Sequence, residues 1–236
     1  MSLAARKLEP EWLDELPASA PEAVHSRGDL RRLNGLMGSA RLLAATAREL
    51  KLRPPGTLVE LACGDGILVQ QLLERTAWKP DRLILLDRQP VVTEETMGQL
   101  RRFSPQVEVV TVDVFEWLGG ETTPSVDLIT TNLFLHHFED DRLRTLLKLV
   151  AAKSSAFIAC EPERAAFVLF TTKLIGLIGC NHVTRHDAAI SVKAGFQSTE
   201  LSQLWPADLT WTIREGSRGL FSHCFGARKF TATRET

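Results

Sequence analysis

The sequence predicts an α/β fold built on a mostly parallel sheet with helices on both faces. Three observations predict it. Short apolar runs such as Thr57 to Ala62 (TLVELA), Arg82 to Leu86 (RLILL) and Ala156 to Cys160 (AFIAC) alternate with longer helical patterns. That texture belongs to βαβ units whose strands are covered on both faces. The first run passes straight into a glycine-containing loop that opens a helix. Near the C-terminus two strand-like runs follow one another directly, which marks a mixed sheet.

The elements follow in order. Up to about Gly28 the chain is rich in Pro and Glu, and Pro10, Pro17 and Pro21 punctuate short helical pieces. From Asp29 to Leu52 apolar residues at Leu30, Leu33, Leu36, Met37, Leu42 and Leu43 fit one helix, with Asp29 as N-cap and Pro54-Pro55 as stop. Strands are predicted at Thr57 to Ala62, Arg82 to Leu86, Val107 to Val112, Val126 to Thr131 and Ala156 to Cys160. Helices are predicted at Ile67 to Ala77, about Val91 to Phe103, and Asp140 to Ala152. Residues 163–182 read as an apolar helical insertion. Thr184 to Ala194 reads as a helix ended by Gly195, with Thr184 as N-cap and Asp187 at N3. Leu209 to Arg214 and Leu220 to Phe230 read as strands joined by the turn EGSRG. The organisation expected is an N-terminal helical cap, residues 1–52, on one α/β domain, residues 53–236.

Composition bounds the function. With 236 residues, 44% hydrophobic and 24% charged, the chain is long and apolar enough for one core. Lys+Arg 28 against Asp+Glu 29 disfavours a partner that is wholly nucleic acid. The four cysteines, Cys63, Cys160, Cys180 and Cys224, form no C-x-x-C pair, so neither a zinc ribbon nor a thioredoxin motif is encoded. The opening MSLAARKLEPEWLDELP has no apolar h-region, and the longest apolar stretch falls short of the ~20 residues a membrane span needs. A cytoplasmic chain with no stable membrane insertion is expected. His182, His186 and Asp187 lack a closed ligand set, and no metal site is expected.

The chemistry concentrates at strand ends, where open α/β sheets bind ligands. Val59-Glu60-Leu61-Ala62-Cys63-Gly64-Asp65-Gly66 closes the first strand. Its small residues allow close approach to the backbone at a helix N-terminus. It is not the G-x-G-x-x-G fingerprint, because Val69 stands where the third Gly belongs. Asp87 closes the second strand, where a carboxylate can accept both ribose hydroxyls of an adenosine. Asp113 follows the third, where it can reach an adenine amino group while Val114 and Phe115 pack on the ring. Each aspartate is also a fair helix N-cap; three acidic residues at successive strand ends outweigh that explanation.

VELACGDG, LLDRQP, VTVDVFEW and VDLITTNLFLHHF resemble the successive motifs of class I S-adenosylmethionine-dependent methyltransferases, over roughly residues 57–161. The resemblance implies a Rossmann-like seven-stranded sheet whose last strand is antiparallel, and S-adenosyl-L-methionine as cofactor. It places Glu60 near the methionyl amine, Gly64 and Gly66 at the backbone approach, Asp87 on the ribose, and Asp113 with Val114 at the adenine. Ala62 stands where the family usually has its first Gly, and Arg88 and Asn132 complete the lining. Arg41, in the N-terminal helix, is set to meet the methionyl carboxylate.

His136, in NLFLHHFEDD, matches the position of the base histidine in the L-H-[DH]-[WF]-x-D-[DE] segment of small-molecule O-methyltransferases. An imidazole titrating near neutral pH suits removal of a hydroxyl proton. His137 and Glu161 are further candidates, Glu161 facing the same cleft to orient an imidazole. The apolar stretch Ala165 to Gly179 is expected to roof a hydrophobic acceptor site. The expected function is methyl transfer to a small, apolar or aromatic acceptor, most simply a hydroxyl, as in secondary metabolism. The alternatives are a C-methyltransferase of a quinone-type or polyketide acceptor, or a cofactor-binding but inactive partner subunit. A nucleic-acid methyltransferase is disfavoured by the absence of N-P-P-[FY].

Overall fold

A computed structural model of the protein describes residues 3–208 and 210–230. In chain order the elements are α1 (Trp12–Glu15), α2 (Pro21–Met37), α3 (Ser39–Glu49), β1 (Thr57–Leu61), α4 (Ile67–Thr76), β2 (Arg82–Asp87), α5 (Glu94–Leu100), β3 (Gln106–Thr111), α6 (Val114–Gly119), β4 (Val126–Asn132), α7 (Asp140–Lys153), β5 (Ser154–Pro162), α8 (Ala166–Thr171), α9 (His182–Ala194), α10 (Glu200–Leu204), β6 (Trp211–Arg218) and β7 (Ser222–Lys229). The seven strands form one sheet in the order β3-β2-β1-β4-β5-β7-β6. β1 to β5 run parallel, and β7 is antiparallel to both β5 and β6. The strand order reverses between β1 and β4, so the ligand crevice belongs at the carboxyl ends of these two strands.

The pleat sorts the core onto two faces. Val59, Leu61, Ile84, Leu86 and Ile129 point to α6, α7 and α10, where they meet Leu118, Leu146, Leu147 and Leu201. Leu58, Leu83, Leu85 and Leu128 point the other way, to Leu43 of α3, Leu72 and Leu73 of α4 and Leu100 of α5. Gly226 lets α3 rest on β7, since a Cβ there would lie 2.6 Å from Leu50 Cδ1 and 2.7 Å from Thr46 Cγ2.

Five local expectations are corrected. The single helix over 29–52 is two helices, because Gly38 turns left-handed (φ +71°) and ends α2. Asp29 is no N-cap. It sits fully buried inside α2, accepting from Asn181 N (2.8 Å), Thr184 Oγ1 (3.0 Å) and Arg32, so it fastens α2 to α9. α9 starts at His182 with Asn181 as N-cap, whose Oδ1 accepts from Thr184 N at 2.8 Å. Thr184 is therefore inside the helix, its hydroxyl turned to Asp29. EGSRG is not the hairpin turn: Glu215 to Arg218 belong to β6, and the chain reverses at Gly219 (φ +63°). Glu215 stays in the strand because its carboxylate accepts from Leu201 N, Ser202 N and His223. Leu209, where the first hairpin strand was expected to begin, lies outside the described residues. The apolar insertion is α8 and a 3-10 turn, Ile175–Ile178, interrupted rather than continuous.

Candidate active site

Two adjoining clefts open at the carboxyl ends of β1, β2 and β4. They share Arg27, Leu30, Ala62, Gly64 and Leu133. The smaller, about 160 Å³, is lined by Glu60, Cys63, Asp65, Asn132, Asn34 and Arg31, among others. The larger, about 740 Å³, runs past Asp87, Arg88, Val112, Asp113 and Val114 to His136, His137 and Arg142. That size suits a small ligand bound along with part of a second one.

The β1–α4 loop is set by backbone geometry. Ala62 (φ +51°), Gly64 (φ +53°) and Gly66 (φ +76°) all adopt the left-handed region. For Ala62 this costs roughly 1–2 kcal/mol relative to an ordinary conformation, a strain the family's usual glycine avoids. Asp87 ties the loop to β2: one carboxylate oxygen accepts from Gly64 N at 2.8 Å and the other from Gln89 N at 2.9 Å. Asp113 both lines the cleft and caps α6 through Phe115 N (2.8 Å). The ligand and capping explanations of this residue are therefore compatible. Gly66 does not line either cleft; a Cβ there would press on Leu85 and Thr96 at 3.3 Å, so it serves close packing.

The smaller cleft ends on two orphaned acceptors. Glu60 is buried and its Oε2 has no partner, and neither has Asn132 Oδ1. Burial, and then the charges of Asp65 and Asp87, push the Glu60 carboxyl well above the usual range. Buried acceptors without donors cost free energy, and a cationic donor such as an ammonium group would satisfy both. Arg31, paired with Asp65, and Arg27 stand at the mouth. Arg41 does not: it lies exposed on α3, its guanidinium beside Gly38, outside both linings. The registry of α2 and α3 puts Arg27 and Arg31 where Arg41 was expected.

The 3-10 turn Leu135–His137 follows β4 and leaves Leu133 left-handed (φ +51°). Glu161 lies fully buried beneath this turn rather than facing the cleft. It accepts from Phe134 N (3.1 Å), Leu135 N (2.9 Å) and His136 Nδ1 (2.7 Å). Its carboxylate thus fixes both the turn and the imidazole. His136 Nε2 meets Glu11 Oε1 at 3.3 Å. Burial pulls the His136 pKa down, but the hydrogen bonds to Glu11 and Glu161 outweigh it and push it up to about 9. Burial pushes Glu11 up, but His136, His137 and the Ser191 hydroxyl hold it down at about 2. His137 moves the other way, below its ordinary value, first by burial and then by the charge of His136; its Nδ1 lies 3.4 Å from Asp14. Glu11, His136 and His137 bring three ligand-type atoms within 4.8 Å of one another. Both nitrogens of His136 are already engaged by carboxylates and the ring holds its proton at neutral pH, so the trio reads as a hydrogen-bonded cluster.

Glu11 was missed in the sequence; the segment that carries it was read only as part of the cap expected at residues 1–52. Residues 6–15 cross the 136–140 loop and α9 and roof the larger cleft. Arg6 donates to Ala194 O (2.8 Å) and Phe138 O (2.9 Å) and pairs with Asp140 at 2.7 Å. Trp12 N and Leu13 N donate to Asp187 (2.9 and 3.0 Å), and Trp12 stacks on His186 at 3.6 Å. The only local hint is the run EPEWLDE, an aromatic among acids. The insertion at 165–179, expected as the roof, lines neither cleft.

Residues 58–153 match the family described as methyltransferase domain. No curated protein matches the sequence. Among solved structures, the chain is similar to the plantazolicin methyltransferase BpumL in complex with SAH (12% identity, TM-score 0.62, covering 90% of this chain and 92% of that one). It is also similar to the magnesium protoporphyrin IX methyltransferase ChlM from Synechocystis PCC 6803 with bound SAH (14% identity, TM-score 0.56, 86% of each chain). A third is an O-methyltransferase family protein from Burkholderia thailandensis (14% identity, TM-score 0.60, 92% of this chain and 64% of that one). The match over residues 58–153 makes that part of the chain similar to a methyltransferase domain, on a sheet whose fold the solved methyltransferases above share.

Proposed function

We propose that the protein transfers a methyl group from S-adenosylmethionine to a hydroxyl of a small, apolar or aromatic acceptor. The observation that carries this is the buried Glu161–His136 pair, whose Nε2 meets Glu11 on the lining of a cavity that adjoins the cofactor cleft. The cofactor assignment follows the lining. Glu60 and Asn132 take the methionyl ammonium, with Arg31 or Arg27 on its carboxylate. Ala62 and Gly64 present backbone, Asp87 holds the ribose with Arg88 beside it, and Asp113 and Val114 take the adenine. Residues 1–52 act as a cap over the domain at 53–236. The four described cysteines are free and buried, which suits a reducing compartment, and we place the enzyme in the cytoplasm, in secondary metabolism.

When bound, S-adenosylmethionine would supply its sulfonium methyl to an acceptor oxygen, the O–C bond forming as the S–C bond breaks and S-adenosylhomocysteine leaves. With Glu11 on its Nε2, His136 holds a proton at neutral pH and is no base. An acceptor hydroxyl that takes the place of the Glu11 carboxylate gives Nε2 a neutral partner, and one of the two groups that raise the pKa is gone. The imidazolium then gives its Nε2 proton to solvent, and the freed Nε2 receives the hydroxyl proton as the oxygen takes the methyl, while Nδ1–H stays on Glu161, which acts as a positioning residue. His137 lies beside His136 as the alternative base.

The test is His136→Ala assayed beside wild type on a panel of phenols. The expected result is a kcat lower by about 10²–10⁴-fold, the range for a lost general base, with S-adenosylhomocysteine affinity within a few fold. Full activity in that variant, with loss in His137→Ala, moves the role to His137. Methylated carbon in the product assigns C-methylation instead, and cofactor binding without turnover on any acceptor supports a partner subunit. Loss of wild-type activity in a chelator overturns the metal-free assignment of the Glu11–His136–His137 cluster.

A further inference from the structure

From Arg164 to His186 the sequence holds no Asp or Glu, while it contains Lys173, Arg185 and His182. Within that stretch Phe167, Phe170, Leu174, Leu177 and Ile178 recur at helical spacings. All five are exposed, Leu177 at 84%. The positions turned inward are Val168 and the polar Thr172. An amphipathic element in a folded domain normally buries its apolar stripe; here the stripe faces out. It belongs to neither cleft. Leu220, exposed on the β6–β7 turn, extends it, since the adjoining Phe221 stacks on Phe167 with ring centroids 6.3 Å apart. A contiguous exposed apolar patch of this kind marks an interaction surface.

Cations frame the patch. Lys173 is exposed within it. The Arg185 side chain lies along Gly176, where a Cβ would come within 3.1 Å of its Nε. Arg32 donates to Ile178 O at 3.3 Å. Arg32 is paired with the buried Asp29, so the positive charge of the patch rests on Lys173 and Arg185.

We propose that this face lies on an anionic lipid bilayer, with the aromatic and aliphatic side chains in the headgroup–acyl boundary and Lys173 and Arg185 on the lipid phosphates. Charge decides the occupant: a second copy of the chain would set the same cations against one another, whereas anionic headgroups neutralise them. No helix among the described residues is long and apolar enough to cross a membrane, so the association is peripheral. α9, which carries Arg185 at its start, also lines the larger cleft through Ile190, Ser191 and Ala194. Docking by this face therefore brings the cleft beside the bilayer. The inference goes beyond methyl transfer and does not depend on it.

The experiment is co-sedimentation of the full chain with vesicles of phosphatidylcholine containing about one quarter phosphatidylglycerol, and with phosphatidylcholine alone. Binding to the anionic vesicles, weakened by salt, is expected. Phe170→Ser/Leu177→Ser should weaken it about tenfold or more, as expected when two large apolar side chains no longer leave water. Lys173→Glu should weaken it severalfold. Melting temperature and S-adenosylhomocysteine affinity should not move, because these side chains are already exposed. If the double variant melts lower, Leu177→Ser alone replaces it. No wild-type binding to either vesicle overturns the proposal, and so does equal binding by the variants. Dimerisation of the wild type that the same changes abolish, without vesicle binding, assigns the stripe to a second copy. None of these readouts uses methylation, so the failure of either proposal leaves the other measurable.

Discussion

A single carboxylate governs the candidate base. His136 has both nitrogens on carboxylates, and of the two only Glu11 lines the larger cleft. Glu11 raises the His136 pKa, so the free imidazole becomes abundant only toward alkaline pH while Glu11 is seated. Glu11→Gln keeps the shape and removes the charge. Its pH profile of kcat/KM, which reports the free enzyme, should rise at lower pH than that of wild type, with the limb moved toward the ordinary imidazole value of about 6.5. An unmoved limb would show that Glu11 is not on the imidazole in the free enzyme. Glu60 makes a second prediction at this scale. Burial pushes its carboxyl well above the usual range, and an ammonium bound there favours the ionised form. Cofactor binding should therefore release a proton, and affinity should rise with pH. Calorimetry in buffers of different ionisation enthalpy should show a buffer-dependent heat that disappears in Glu60→Gln. Equal heats in wild type would take Glu60 out of the ammonium site.

Among the elements, glycines separate packing from propensity. At Gly195 a Cβ would lie 2.3 Å from Pro162 O, a backbone atom that cannot move aside cheaply. Gly28, inside α2, has nothing within 4 Å. Gly195→Ala should destabilise by about 1–3 kcal/mol, as overpacking does, and shift the junction of β5 and α9. Gly28→Ala should instead stabilise by about 0.5–1 kcal/mol, the helix-interior difference. Denaturant melts of the two variants, matched in chemistry, test whether α9 is wedged against β5. The same contrast explains what was legible beforehand. β1, β2, β4 and β5 announce themselves because strands buried on both faces are continuous apolar runs. The residues expected to hold the cofactor that do line the clefts were legible because they gather at strand ends. The α2–α3 break was hidden because Gly38 acts through a left-handed φ, whereas the apolar pattern continues on both sides. Glu215 looked like a turn residue because its partners, α10 and His223, are not adjacent in sequence. Glu11 reaches His136 across 125 residues, and no local pattern encodes such a contact. The outward apolar stripe was read as a lid for the opposite reason: periodicity tells that a face is apolar, but not which way it points.

In the molecule as a whole, two buried imidazoles are each clamped between carboxylates. His136 lies between Glu11 and Glu161, and His223 lies between Glu163 (3.0 Å) and Glu215 (2.9 Å). The second cluster joins the end of β5 to both strands of the hairpin, and through Glu215 to α10. For His223, as for His136, burial lowers the pKa, but its carboxylate partners win and push it up to about 9. A group whose folded pKa exceeds its unfolded value stabilises fully below the unfolded value and loses that contribution as pH climbs through the folded one. Both clusters should therefore weaken the fold between about pH 6.5 and 9. Glu60, also raised by folding, acts in the same direction, starting from lower pH. Glu11 has the opposite sign: its pKa falls to about 2, so its contribution is present above the ordinary carboxylate range and lost in acid. Melting temperature against pH should then show a maximum on the mildly acidic side, with separate acid and alkaline limbs. The alkaline limb should be visible, since each kcal/mol moves the melting temperature by about 2–4 °C in a chain of this size. His223→Gln/Glu163→Gln removes one clamped imidazole together with one of its carboxylates. That variant should melt lower at mildly acidic pH yet lose less between about pH 6.5 and 9 than wild type does. An alkaline limb of full size in the variant would mean that His223 is not charged in the fold.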